Sequence, residues 1–191
     1  MRRGLFFIVG LVLAGISGPL ATANANLVTN GNFGTGDLTS WTASDGSIFV
    51  DSGLPPATDA FDAEFTGDGI LSQIIPTTAG DAYTLSFSLL DEAGFVGDLF
   101  TVTFGGFSTT ILGSTAAGGY APEVFAIPGS DITGANTTLS FQAINPVVAW
   151  NLDDVSVTQN AIPEAPAGVI LAGGVLMMLS LRPRGRVTNG W

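Results

Sequence analysis

From residue 26 to residue 161 the chain alternates apolar and polar positions in short runs, the period-two pattern of half-buried strands. Tyr83 to Leu89 shows it most clearly. Tyr83, Leu85, Phe87 and Leu89 fall on one side, and Thr84, Ser86 and Ser88 on the other. Ser47 to Asp51 puts Ile48 and Val50 on one face, and Phe61 to Phe65 alternates apolar with acidic. Further strands are predicted at Leu27–Thr29, Ile70–Ile75, Leu99–Phe104, Thr110–Leu112, Val124–Ile127, Thr138–Phe141 and Leu152–Thr158. Turn chemistry separates them: Asn30-Gly31, Pro76 to Asp81 and Gly105-Gly106. Gly113 to Gly119 reads as a loop of small residues. No helical period occurs in this stretch. Many short strands at near-regular spacing predict an all-β sandwich or barrel, with a single core at this length.

The two ends carry a different pattern. Arg2 and Arg3 precede the apolar run Leu5 to Ile16, which Ser17, Gly18 and Pro19 break. Ala23-Asn24-Ala25 then has the small-x-small form of a cleavage site, so residues 1–25 read as a secretory signal peptide. At the other end, Ala165 to Leu181 is an uncharged apolar run of 17 residues, near the short limit of about 17 for a spanning helix. Arg182, Arg184 and Arg186 follow at once. Basic residues beside a span stay on the cytoplasmic side, which would leave everything before Ile162 outside the membrane. The layout is therefore 1–25 signal peptide, 26–161 β-sandwich domain, and 162–191 tail, with Thr158 to Pro166 as linker. The tail resembles the sorting signal of PEP-CTERM exported proteins: a Pro-Glu-Pro motif, a short transmembrane helix and an arginine cluster. The matching residues are Ile162, Pro163 and Glu164, then Gly168 to Leu181, then Arg182, Arg184 and Arg186, with Ala165 in place of the second proline. The resemblance implies export, an inner-membrane-anchored intermediate, processing by an exosortase-type membrane enzyme, and a final place at the cell surface or in the biofilm matrix.

Charge narrows the function of the middle. All five basic residues, Arg2, Arg3, Arg182, Arg184 and Arg186, lie in the two ends, whereas fifteen of the sixteen acids lie between them. A domain with no Lys, Arg or His cannot neutralise phosphates, which excludes nucleic acid as a partner. The lack of His and Cys removes Ser-His-Asp and Cys-His nucleophiles and imidazole or thiolate metal sites. The lack of Lys there removes Schiff-base chemistry and a phosphate loop at Gly31, Gly34 and Gly36. Paired carboxylates are the one catalytic route left. Asp59, Asp62, Glu64 and Asp68 are dense enough to suggest glycoside hydrolysis, but acids on alternate strand positions are what any solvated face shows, and that is the reading taken for them.

The domain resembles galactose-binding-like jelly rolls and the carbohydrate-binding modules built on them. The residues that carry this are N-L-V-T-N-G-N-F at Asn26 to Phe33, Trp41, the hairpin Leu71 to Phe87, Thr137 to Gln142, and W-N-L-D-D-V-S-V-T at Trp150 to Thr158. The resemblance implies a jelly-roll β-sandwich that associates with extracellular polysaccharide. Trp150 and Tyr120 are the candidates to stack on sugar rings, while Trp41 and Tyr83 are assigned to the core. Strict alternation would put Asp153 on the face of Val155 and Val157, so backbone amides or a hard cation must neutralise it. The resemblance implies one structural Ca2+ there, between the first and last strands. Gly34 stands where such modules carry a glutamate, leaving the site weakened, rebuilt from Asn30 or Asp37, or absent. Three roles stay open from sequence: a polysaccharide-binding module, a purely structural surface protein, and a carboxylate-dependent hydrolase.

Overall fold

The fold is taken from a computed structural model, which describes residues 25–52, 60–144 and 147–161. The remainder of the predicted signal peptide, with Ala23, and the sorting residues Ile162, Pro163, Glu164, Arg182, Arg184 and Arg186 lie outside the described residues. So does Asp59. Ala25 is described and exposed.

Among the described residues ten strands form two antiparallel sheets. In chain order they are β1 (Thr42–Ala43), β2 (Ile48–Asp51), β3 (Asp62–Phe65), β4 (Gly69–Pro76), β5 (Tyr83–Asp91), β6 (Leu99–Phe104), β7 (Phe107–Leu112), β8 (Ala121–Ile127), β9 (Asn136–Ile144) and β10 (Trp150–Gln159). The first sheet runs β1-β4-β9-β6-β7 and the second runs β2-β3-β10-β5-β8. Apart from the hairpins β2-β3 and β6-β7, sequence neighbours are split between sheets, as in a jelly roll, and one face of each sheet closes on the other. The alternation seen in sequence selects which face. Tyr83, Leu85, Phe87 and Leu89 of β5 point inward with Phe65 of β3, and meet Phe100, Val102 and Phe104 of β6 and Leu139 and Phe141 of β9. Aromatic edges lock the two layers: Phe65 on Phe100 at 5.3 Å and 83°, Phe87 on Phe141 at 5.2 Å and 83°, Tyr83 on Phe104 at 6.0 Å and 86°. Edge-to-face pairs of this kind add about 0.5–1.5 kcal/mol beyond area burial.

Trp41 and Tyr83 are core residues, as the alternation and the resemblance implied. Trp41 packs on Phe33 and Phe141, and its indole N–H donates to the Asn30 carbonyl at 3.0 Å. The Tyr83 hydroxyl accepts from the Thr78 N–H at 2.8 Å. Leu27–Thr29 departs from expectation: it runs extended along two partners without forming a strand. Leu27 N–H donates to the Val157 carbonyl at 2.8 Å, but the Val157 N–H is taken by the Asn26 side chain. Further along, the Gln73 side-chain amide substitutes for a neighbouring strand, donating to the Thr29 carbonyl and accepting from its N–H, each at 2.9 Å.

Candidate functional site

One irregularity decides where the polar residues of β10 point. Its pairing with β5 shifts register between Asp153 and Ser156, and Asp154 between them has φ +54. This is a β-bulge, tied down by the Val155 N–H donating to the Gly31 carbonyl at 2.8 Å. Trp150 and Leu152 face the core before the bulge, and Val155 and Val157 face it after. Asp153 therefore lies on the opposite side from Val155 and Val157. The expectation that these three share a face is corrected by one inserted residue, because a one-residue slip turns every later side chain over.

Asn151 and Asp153 consequently join the outer face of the second sheet. β3 adds Asp62 and Glu64 to that face, and β2 adds Phe49 and Asp51, since Ile48, Ala63 and Phe65 point inward. Register aligns them in rows: Phe49 opposite Glu64, Glu64 opposite Asn151, Asn151 opposite Leu90; then Asp51 opposite Asp62, and Asp153 opposite Ser88. Tyr120, at the entrance to β8, reaches across β5 and β10. Its hydroxyl donates to Asp62 Oδ2 at 2.6 Å. Asn151 Nδ2 donates to Asp62 Oδ1 at 3.2 Å. Beneath this cover Asp62, Asn151 and Asp153 are each 0% exposed.

Acceptors outnumber donors on this face. The Asn151 Oδ1 atom is buried and has no hydrogen-bond partner. An orphaned buried acceptor costs about 1–3 kcal/mol. Burial pushes the Asp62 carboxyl up; the Tyr120 and Asn151 hydrogen bonds oppose this, and the Asp51 charge adds to it. Glu64 is pushed up by burial first, then by Asp51, Glu92 and Asp62, and by a hydrogen bond with Asp51. Two carboxyl groups in hydrogen-bond contact must share a proton. Glu92 is raised by burial and by repulsion from Asp62, Asp51 and Asp91. The Tyr120 hydroxyl is pushed far up by burial and by its bond to Asp62, with Asp153 and Glu92 contributing. Asp62, Glu64 and Glu92 are each held towards the neutral form, by burial first and by neighbouring acids after it, and no Lys, Arg or His in residues 26–161 opposes this.

The structure thus brings together Tyr120, Asp153, Asp62 and Glu64, which sequence reasoning had assigned to three different roles. Asp62 is buried, so the solvated-face reading fails at that position; Asp68 lies exposed in the turn after β3. Trp150 is corrected from a sugar platform to a core residue. It is 0% exposed with its ring 5.2 Å from Phe100, because it sits one residue before Asn151 and so points inward. Phe49, 42% exposed beside Glu64, is the aromatic that sequence reasoning missed; the inward assignment of Ile48 and Val50 already implied its outward direction. Asn151 was missed too, and only the bulge and the Tyr120 contact reveal it.

Asn30 and Asp37 are elsewhere, in the loop before β1. Asn30 Nδ2 donates to the Asp37 and Thr39 carbonyls, and Asn30 Oδ1 accepts from the Thr35 N–H. Asp37 Oδ1 accepts from the Thr35 hydroxyl at 2.8 Å and the Thr39 N–H at 3.0 Å, and the Thr39 side chain first, then these two bonds, hold its carboxyl below the usual range. The bulge brings Asp154, rather than Asp153, into the groove with Asn30 and Gly31. Asp153, Asn30 and Asp37 do not fit one calcium ion as a set. Among the described residues no three His, Cys, Asp or Glu side chains are arranged to hold a metal. A wider groove of about 460 Å³ lies near Gln73, Ile74 and Thr138 of the first sheet, but no titratable group lines it. Chemistry therefore favours the acidic face.

No protein-family model matches the chain, and no curated protein matches it. Solved structures do. The chain is similar to a family 61 carbohydrate-binding module in complex with β-1,4-galactotriose, at 16% identity and a TM-score of 0.58, over 71% of this chain and 99% of that one. It is similar to the first family 22 xylan-binding domain of Xyn10C from Paenibacillus barcinonensis, at 16% identity and a TM-score of 0.54, over 75% and 100%. A family 16 carbohydrate-binding module matches at 11% identity and a TM-score of 0.57, over 70% and 99%. The enzymatically active domain of a bacteriophage CBA120 tailspike protein also matches, with a TM-score of 0.54, but only over 21% of that longer chain. At these identities the likeness shows the fold, the jelly-roll β-sandwich that carbohydrate-binding modules have.

Proposed function

We propose that residues 26–161 form a non-catalytic polysaccharide-binding module, with the outer face of β2, β3 and β10 as its binding surface. One observation carries this reading: an exposed aromatic ring, Phe49, sits in register with hydrogen-bonding side chains that a sheet holds in fixed positions. Apolar ring faces with a few placed polar groups are what an oriented sugar needs. The similar modules, one of them solved with β-1,4-galactotriose, support the same reading. A hydrolase is disfavoured at the acid pair Asp51 and Glu64. Asp51 and Glu64 touch each other, whereas carboxyls that flank a glycosidic bond stand about 5–9.5 Å apart. In this reading the module is exported, anchored through residues 162–191, and released by an exosortase-type enzyme to the cell surface or biofilm matrix.

The purified protein is tested by affinity pull-down against the host's own extracellular polysaccharide and against a panel of neutral β-1,4-linked polysaccharides. Retention that Phe49→Ala weakens supports the reading. No retention on any polysaccharide sinks it and leaves the purely structural role. The sorting part has its own test. Replacing Arg182, Arg184 and Arg186 with Ser removes the charges that fix the tail's orientation. That variant should be misplaced or destabilised, and unchanged fractionation would count against sorting.

A further inference from the structure

The acidic face is built for a particular kind of sugar. Its acceptors are Asp51, Asp62, Glu64 and the buried Asn151 Oδ1. The Tyr120 hydroxyl and one N–H of Asn151 Nδ2 are spent on Asp62. No donor of the described residues reaches Asn151 Oδ1, so a donor for it must arrive from outside. No side chain in residues 26–161 carries positive charge, and this stretch holds fifteen acids. An anionic saccharide would be repelled. A neutral one would supply hydroxyl donors to Asn151 Oδ1 but leave the carboxylates repelling each other. A metal ion would relieve the repulsion, but no three acids among the described residues have the arrangement to hold one.

We propose that this face binds a saccharide bearing a free ammonium group, an amino sugar without its N-acetyl, whose –NH3+ enters between Glu64, Asp62 and Asn151 Oδ1 while the ring lies against Phe49. The proposal rests on the polysaccharide-binding reading above. An ammonium group offers three donors and one positive charge in a compact head, which matches three acceptors and the local charge. Register supports the placement: Phe49, Glu64 and Asn151 occupy one row across three adjacent strands, about 4.8 Å apart. Arrival of the cation favours the ionised form of Glu64, which burial and the neighbouring Asp51 otherwise oppose. The titratable groups that interact across this face are Asp51, Asp62, Glu64, Glu92, Asp153 and Tyr120, and none carries positive charge.

Isothermal titration of the purified protein with β-1,4-glucosamine oligosaccharides, and with N-acetylated oligosaccharides of the same length, at pH 6.0, tests this. The free-amine ligand is expected to bind at least tenfold tighter, with the advantage shrinking as salt rises from 50 to 500 mM. Glu64→Gln should abolish the advantage. Glu123→Gln removes the same charge on β8, where Glu123 pairs with the inward-facing Phe87 rather than with the acidic face, and should leave the advantage intact. Equal binding of the two ligands overturns the ammonium inference and leaves the polysaccharide reading standing. Equal losses in the two variants overturn it as well, because net charge alone would then explain the preference. Calcium chloride titrated alone, if it binds and Glu64→Gln abolishes that binding, overturns it in favour of a metal site. Failure of every saccharide, neutral ones included, takes down both readings.

Discussion

Trp150→Ala separates the scaffold from the site. The Trp150 ring is fully buried, stacked near Phe100, and its strand pairs with both β3 and β5. Truncating a buried tryptophan to alanine costs about 3–5 kcal/mol through lost transfer energy and the cavity left behind. The loss should lie at the upper end of that range, because the cavity opens between two sheets that cannot collapse independently. For a domain of this size each kcal/mol moves the melting midpoint by about 4 °C, so the expected drop is about 12–20 °C. One feature offsets the loss slightly: the indole N–H is buried without a partner, and removing it relieves its desolvation. Trp150→Phe keeps most of the ring and discards that N–H, and should cost less than half as much.

The assay pairs a thermal melt with a binding titration in the same buffer. Trp150→Phe should bind polysaccharide as the parent does. Tyr120→Phe should show the converse. It leaves the core untouched, frees Asp62 Oδ2 of its donor, and changes binding and its pH profile more than stability. A Trp150→Ala variant that melts within 3 °C of the parent yet loses binding would refute the inward placement of Trp150, and with it the reasoning from the bulge.

Other consequences follow from the same geometry. Asp62, Glu64, Glu92 and Glu123 are all raised by burial above the ordinary values of 3.8 and 4.5. Folding is then favoured by their neutral forms: that stability is fully present below the ordinary values and is lost as pH climbs through the raised ones. The melting midpoint should fall between mildly acidic and neutral pH, and Asp62→Asn should flatten the fall; a midpoint that rises towards neutrality would contradict this. Asp37 and Asp45 act in the opposite sense and should set the acid limit of the dome, since their lowered values make their contribution disappear as pH drops. Gly31→Ala drives a methyl into the Val155 carbonyl, backbone against backbone, and should cost about 1–3 kcal/mol by forcing the loop off the bulge. Melts in excess calcium and in chelator should superimpose, because Asp153 is turned away from Asn30 and Asp37; a difference of several degrees would restore the ion.

The fold was legible because strand alternation is a local property. In Tyr83 to Leu89 every inward and outward assignment holds, since side-chain direction there depends only on the pleat. The tertiary event at Asp154 was not legible. An aspartate tolerates positive φ at modest cost, but only the contact between Val155 and Gly31 makes it do so. That single residue relocated Asp153 from a predicted calcium ligand to the acidic face. Trp150 failed for a related reason: its place at a loop-to-strand junction gives no alternation before it from which to read a direction. Asp62 was read as an acid of a solvated face. Its burial depends on Tyr120, 58 positions later in the chain, which no local pattern connects to it.

The bulge also explains how one strand serves both purposes. Up to Asp153, β10 gives alternate residues to the core and to the acidic face, and beyond Asp154 it continues along β5 with its outward positions filled by Ser156 and Thr158. The acids are thus confined to one end of the sheet, where β3 lies on the other side of β10. There Asp62 is held by two neutral donors and no cation. This arrangement gives up stability, since a desolvated carboxylate next to further carboxylates favours the unfolded chain at neutral pH. An asparagine in that place would keep a bond to Tyr120 without the charge. Where every strand otherwise obeys its pattern, a conflict of this size in the middle of a sheet marks the part of the surface shaped by something other than folding. That is why the ligand is sought on the acidic face rather than in the larger neutral groove.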